Sequence, residues 1–213
     1  TMIFASLSRT AGATALFRGT DFGSNPAPNI STLMFNTAPT LTGGGGSANS
    51  STISIIKGVF GDGVSGTGSD MVTYNIGNSN GIRLLNGAGF SGEYVDTLTT
   101  NANVKLSANT PASTASINSL ILNGFDITNP GSAATLTLAS ASLAGNILMN
   151  SADSIDGANT TLGITTNELP ILATASGSIS AVIGTAVAGS LTLSGPGRSE
   201  ERRVGKECLR LCR

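Results

Sequence analysis

The sequence predicts an all-β chain, most of it wound as a parallel β-helix. Three observations carry this expectation. Apolar residues come in short bursts such as SLILNG, TLTLAS and NILMNS, separated by Gly, Ser, Asn and Asp. Helical spacing of apolar residues is rare, and Thr, Ser, Asn and Gly are weak helix formers. From Ile117 onward the bursts recur, as INSLILNG, AATLTLAS, TTLGIT and GSLTLSG, with starts roughly 12 to 20 residues apart.

Taken in order, strands are expected near Met2–Ser6, Ala15–Arg18, Thr32–Phe35, Thr52–Lys57, Met71–Asn75, Ile117–Leu122, Ala134–Ala139, Asn146–Met149, Thr160–Thr165, Ser178–Ile183 and Ser190–Ser194. Each is bounded by turn formers. Alternation places Leu120, Leu122, Leu136, Leu138, Leu191 and Leu193 on one inward face, with short Thr and Ser side chains on the other. Coils of this kind bury their apolar face only by stacking, one or two strands per turn. An antiparallel sandwich gives similar spacing, but the short strands and the 4% aromatic content favour the solenoid.

Four segments follow. Residues 1–18 form the first coil or coils. Residues 19–111 hold an irregular β insertion or loop-rich coils, with GTDFGSNPAPN and TGGGGSANSS as loops. Residues 112–197 carry the repeats, and residues 198–213 form a tail of different character. Nine of its sixteen residues are charged, for a net +3, whereas the body has net charge −4.

Composition excludes several classes. Only 11% of residues are charged, against about 25% in ordinary globular chains. No apolar run approaches the ~18 residues of a membrane-spanning helix. The body has no Cys, and the whole chain has no His or Trp, so thiolate and imidazole chemistry is absent from it. The opening TMIFASLSRTAG lacks a basic segment followed by a long apolar one, so no signal peptide is visible. It reads like the middle of a strand, and the chain is therefore expected to be a fragment, prone to aggregate through its open end.

Candidate chemistry is sparse. The acids of the body are Asp21, Asp62, Asp70, Glu93, Asp96, Asp126, Asp153, Asp156 and Glu168. Asp153 and Asp156, in NSADSIDGAN, are the closest pair, and glycoside hydrolysis uses two carboxylates flanking the bond. Turn chemistry is the stronger reading, since Asp side chains accept nearby backbone N–H groups. Lys57, Arg83 and Lys105 are the mid-chain cations, each expected to stand alone. The stretch Gly66–Tyr74 partly matches a calcium-binding nonapeptide, but a single copy lacks half its ligands. The RGTD at Arg18–Asp21 carries no mechanism. Phe90 and Tyr94 could stack on a sugar, although two such rings are more often a core plug. No catalytic, cofactor-binding or metal-ligating set emerges.

The stretch ALFRGTDFGSNPAPNISTLMFNTAPTLTGGGG, followed by STISIIKGVFGD and SDMVTYNIGNSNGIRLLN, resembles long secreted proteins with autotransporter-associated β-strand repeats. SLILNGFDIT, ATLTLAS and SGSLTLSG are similar to the repeat itself. The resemblance spans most of residues 1–197. It implies a right-handed β-helical passenger at the bacterial surface or outer membrane, structural or adhesive, without catalysis or cofactor. Partners would be surface polysaccharide or other cells, not nucleic acid, and any membrane contact would come through parts of the chain not present. A polysaccharide-binding or polysaccharide-cleaving β-helix is the alternative. Such proteins usually continue to a membrane barrel or anchor, which this sequence does not contain.

The tail differs in kind. RSEERRVGKEC resembles the conceptual translation of a common sequencing-adapter read, over eleven consecutive residues. Read as protein it would offer a basic patch and a Cys208/Cys212 pair, only two of the four ligands that structural zinc needs. The tail is expected to be foreign to the protein and to pack against nothing.

Overall fold

The computed structural model describes residues 1–63, 70–75, 81–165, 168–185 and 189–195, and among them every regular element is a strand. The first half supplies β1 (Met2–Phe4), β2 (Ala15–Arg18), β3 (Leu33–Phe35), β4 (Val59–Asp62), β5 (Asp70–Asn75) and β6 (Gly81–Leu84). They form one mixed sheet in the order β1-β3-β6-β5-β4-β2. Only β4–β5 and β5–β6 are antiparallel. This half has its own core of Phe22, Leu33, Phe35, Ile56, Val59, Val72, Tyr74 and Ile82.

From Asn103 the chain changes to purely parallel pairing. The strands are β7 (Asn103–Lys105), β8 (Thr110–Pro111), β9 (Ala115–Ser116), β10 (Ser119–Ile121), β11 (Ile127–Thr128), β12 (Ala134–Ala139), β13 (Asn146–Met149), β14 (Ser154–Ile155), β15 (Thr160–Ile164), β16 (Glu168–Ala173), β17 (Ser178–Ile179), β18 (Val182–Thr185) and β19 (Ser190–Ser194). Each strand pairs with the one three places along. Three parallel sheets result, β7-β10-β13-β16-β19, β8-β11-β14-β17 and β9-β12-β15-β18. Corners come from residues that tolerate left-handed backbone. Asn123 and Gly124 follow β10 at φ 57° and 87°, turning the chain toward β11.

One apolar core is shared by all three sheets. Val104, Leu120, Ile147, Leu169 and Ile171 enter it from the first, Ile127 and Ile155 from the second, and Leu136, Leu138, Leu162 and Ile164 from the third. The first sheet is covered on its other face as well. Ile121, Leu148 and Leu172 point away from the shared core and pack on Ile53, Ile55, Phe60, Met71 and Leu85 of the first half. Strands buried on both faces are near-continuously apolar, which explains SLIL, NILM and LPILA.

The expected strands at Ala15–Arg18, Ala134–Ala139, Asn146–Met149 and Ser190–Ser194 match in both bounds, and the other differences have local causes. Thr52–Lys57 makes only the isolated bridges Thr42–Ile55 and Gly46–Ile53, and the strand begins at Val59. Ser178–Ile183 is two strands in different sheets, split by a corner at Ser180–Ala181. Exclusively parallel pairing starts at Asn103, inside the stretch expected to be irregular, and successive strands fall in turn into three sheets where one or two strands per turn were expected. Leu120, Leu122, Leu136 and Leu138 are fully buried, but Leu191 and Leu193 are 41% and 43% exposed. Their register partners Leu169 and Ile171 lie in the core. Leu191 and Leu193 therefore face the core side, but β19 is the outermost strand of its sheet. The tail and Gly66–Ser69 lie outside the described residues.

Candidate functional site

The expected acid pair is divided between turns. Asp153 is buried, and its carboxylate accepts the amides of Gly124 at 2.9 Å, Asn150 at 3.0 Å and Ser151 at 3.2 Å. The first bond links the turn after β10 to the turn after β13. Asp156 accepts the Ala158 amide at 2.9 Å within its own turn. Asp126 does similar work, accepting the Ser154 amide at 2.7 Å. These carboxylates terminate loops.

The mid-chain cations do not all stand alone, contrary to expectation. Arg83, on β6, is fully buried and meets Glu93 in a two-pronged pair, each contact 2.6 Å. Arg83 Nε donates to Asn75 Oδ1 at 2.9 Å, and the Phe90 ring lies 3.9 Å from the guanidinium. Glu93 also accepts the amides of Asn86 at 2.9 Å and Asn49 at 3.1 Å. Burial pushes the Glu93 carboxyl up, but hydrogen bonds from Arg83, Asn86 and Asn49 outweigh it and hold it below its usual value. A hollow of about 530 Å³ beside this clamp is lined by Ser47, Ile53, Tyr74, Asn75 and Phe90.

Lys105, on β7, donates to Asp70 Oδ2 at 3.3 Å and lies 5.6 Å from the Tyr94 ring. Tyr94 Oη donates to Asp70 Oδ1, and the Met71 amide reaches Tyr94 Oη at 3.1 Å. Burial raises the Asp70 carboxyl, opposed by Lys105, Tyr94 and the Met71 amide. Burial and the adjacent Asp70 raise the Tyr94 phenol well above its ordinary value, so at neutral pH it is a proton donor. The neighbouring hollow of about 560 Å³ is lined by Tyr94, Asp96, Lys105, Ser107 and Asn123. Phe90 and Tyr94, which the sequence grouped as one pair and read as a core plug before a sugar-stacking surface, lie against different cations. The Asp70 of the calcium-like stretch is committed to Lys105 and Tyr94. Arg18 of RGTD lies 3.7 Å from Asp62.

Sequence reading missed the polar seam joining the two halves. Asn103, Asn118 and Asn146 are fully buried, on or beside β7, β10 and β13 of the first parallel sheet. Asn103 Nδ2 donates to the carbonyls of Ser51 at 3.1 Å and Ile53 at 2.9 Å. Asn118 Nδ2 and Ser119 Oγ both donate to Asn103 Oδ1, at 2.8 and 2.9 Å. Asn146 Nδ2 reaches the carbonyls of Ile56 and Val59, each at 3.2 Å, while its Oδ1 accepts the Gly58 amide at 2.8 Å. On β16, buried Glu168 accepts Arg9 Nη1 at 2.7 Å, the Gly12 amide at 2.8 Å and the Thr192 hydroxyl. Arg9 Nε also donates to the Lys57 carbonyl at 3.1 Å. Gly58 sits under Arg9 at φ 68°, where a Cβ would come 2.3 Å from Nε. The available sequence signal was an Asn just ahead of each apolar burst, as in NVKL, NSLIL and NILM.

Among the described residues, no three acids, histidines or cysteines gather as a metal would require. No helix there is long and apolar enough to cross a membrane. Compared with protein-family models, curated proteins and solved structures, the chain matches none.

Proposed function

We propose that this chain is a structural or adhesive segment of a right-handed parallel β-helical passenger at a bacterial cell surface, with no catalytic step of its own. The observation that carries the reading is the stack of three parallel sheets with one shared core. Its polar groups support it. Asp153, Asp156 and Asp126 hold turns, Arg83 and Glu93 tie the covering half together internally, and Asn103, Asn118, Asn146 and Glu168 hold it in place. Right-handed winding is favoured because twisted parallel strands connect that way in nearly all proteins. Asp153 and Asp156 lend no weight to polysaccharide cleavage.

The test uses the purified chain on neutral and acidic polysaccharides. Beads coated with it should be retained on polysaccharide or on cells above albumin-coated beads, with no release of reducing ends or unsaturated uronates. Turnover of any polymer, or retention no better than albumin, would refute the reading.

A further inference from the structure

The body of the chain carries five cations, and four of them lie against a carboxylate. Arg9 meets Glu168, Arg18 meets Asp62, Arg83 meets Glu93, and Lys105 meets Asp70. Lys57 is the fifth. Its ammonium has no ion-pair or hydrogen-bond partner among the described residues, yet the residue is half-buried. It lines a hollow of about 330 Å³ with Ser8, Arg9, Thr40, Thr42 and Ile56.

The walls of this hollow are tied down before any ligand arrives. Arg9 is anchored to the Lys57 carbonyl and to Glu168. Thr42 and Ile55 exchange amide and carbonyl bonds at 2.8 and 2.9 Å, fixing the far wall. Glu168 is nearby but fully occupied, by Arg9, the Gly12 amide and Thr192. Arg9 and Glu168 cancel, so the hollow keeps one uncompensated positive charge. It also offers three hydroxyls and a short apolar wall of Leu7, Pro39 and Ile56. A preformed hollow with few polar groups converging on it is the usual form of a small-ligand site.

We infer that this hollow binds a monoanionic, carboxylated sugar residue, its carboxylate on Lys57 and its ring among Ser8, Thr40, Thr42 and the apolar wall. One unmatched cation suits a singly charged carboxylate, whereas a phosphate dianion is usually met by several cationic donors. Burial lowers the affinity of the Lys57 amine for its proton; Glu168 opposes this and Arg9 adds to it. These two are the charged groups that face Lys57. Binding of the carboxylate therefore weakens as pH rises through that lowered value, earlier than for an exposed lysine. That the sugar belongs to an acidic surface polymer rests on the passenger reading; the anion site itself does not.

The experiment titrates the full chain at pH 7 with D-glucuronate, D-glucose or inorganic phosphate, following backbone amide shifts. Glucuronate should perturb the amides of Ser8, Thr40, Thr42 and Lys57, glucose should not, and phosphate should bind more weakly than glucuronate. Lys57→Gln keeps the backbone carbonyl that Arg9 uses, so it should fold with an unchanged melting temperature and bind glucuronate at least tenfold more weakly. Arg18→Gln should bind as the parent does. The proposal is overturned by glucose binding as well as glucuronate, by tighter binding of phosphate, by unchanged binding in Lys57→Gln, or by no binding at about 50 mM glucuronate. A separate arm with polygalacturonate separates the two readings. Reducing-end release there would sink the non-catalytic passenger while leaving the Lys57 site intact.

Discussion

Replacing Glu93 by Ala tests whether the lateral half is held by its buried ion pair. The change strands the Arg83 guanidinium at zero exposure and removes the acceptor for the amides of Asn86 and Asn49. Breaking a buried pair by removing one partner costs about 3–5 kcal/mol, and an orphaned backbone N–H adds about 1 kcal/mol or more. Arg83 keeps its bonds to Asn75 and to the Leu84 carbonyl at 3.1 Å, which limits the total to about 4 kcal/mol. With a urea slope of about 2 kcal/mol/M, the unfolding midpoint should fall by about 2 M. The double variant Arg83→Met/Glu93→Leu should recover most of that loss, because an apolar pair leaves no charge unpaired. Acid should act in the same direction as Glu93→Ala. The folded Glu93 carboxyl lies below its unfolded value, so its contribution is complete above the ordinary carboxylate range and disappears as pH falls through the folded value. A loss under about 1 kcal/mol in Glu93→Ala, or a double variant no better than the single, would refute the reasoning.

The other predictions concern the seam, the shared core and Asp70. Asn146→Ala removes the acceptor of the Gly58 amide and a donor to the carbonyls of Ile56 and Val59, of which Ile56 keeps the Val59 amide at 3.3 Å, and urea unfolding should show a loss of about 1–3 kcal/mol. Leu136→Ala opens a cavity in the core shared by the three sheets and should cost about 2–5 kcal/mol, read as a lower melting temperature. Asp70 carries the opposite sign from Glu93. Its folded carboxyl lies above its unfolded value, so ionisation opposes folding, and stability should be regained as pH falls through the folded value. Asp70→Asn should remove that component from a plot of unfolding free energy against pH.

Period and punctuation made the stack legible. AATLTLAS alternates with period two and becomes β12 with Leu136 and Leu138 inward, and the Asn-Gly after Leu122 marks a corner. β16 was hidden because Pro170 stands in the middle of ELPILA and reads as a strand breaker. There the Pro lies against Thr192 in register, in a strand paired on both sides. β8, β11, β14 and β17 are two residues each, too short for any periodicity to register. The lateral half was less readable because its pairs are distant in sequence. Gly58 meets Asn146 and Arg9 meets Glu168, and no local pattern announces either. The same distance hid the imbalance at Lys57, which shows only once the other four cations are seen with their carboxylates. The exposed Leu191 and Leu193 share the alternation of their buried counterparts, and only the number of strands stacked above them differs.

The buried seam also fixes an order of events during synthesis. Arg9 precedes its carboxylate by 159 residues, and Gly58 precedes its asparagine by 88. At about 5–20 residues per second, Arg9 waits roughly 8–30 s for Glu168 to be polymerised. For that interval Ile53, Ile55 and Phe60 lack the complete wall of Ile121, Leu148 and Leu172 that they pack on, while contacts of such long range close slowly. The chain is made from its amino end but sealed from the other. A factor that holds nascent chains extended would therefore matter most for the first sixty residues, well before the repetitive part has been translated.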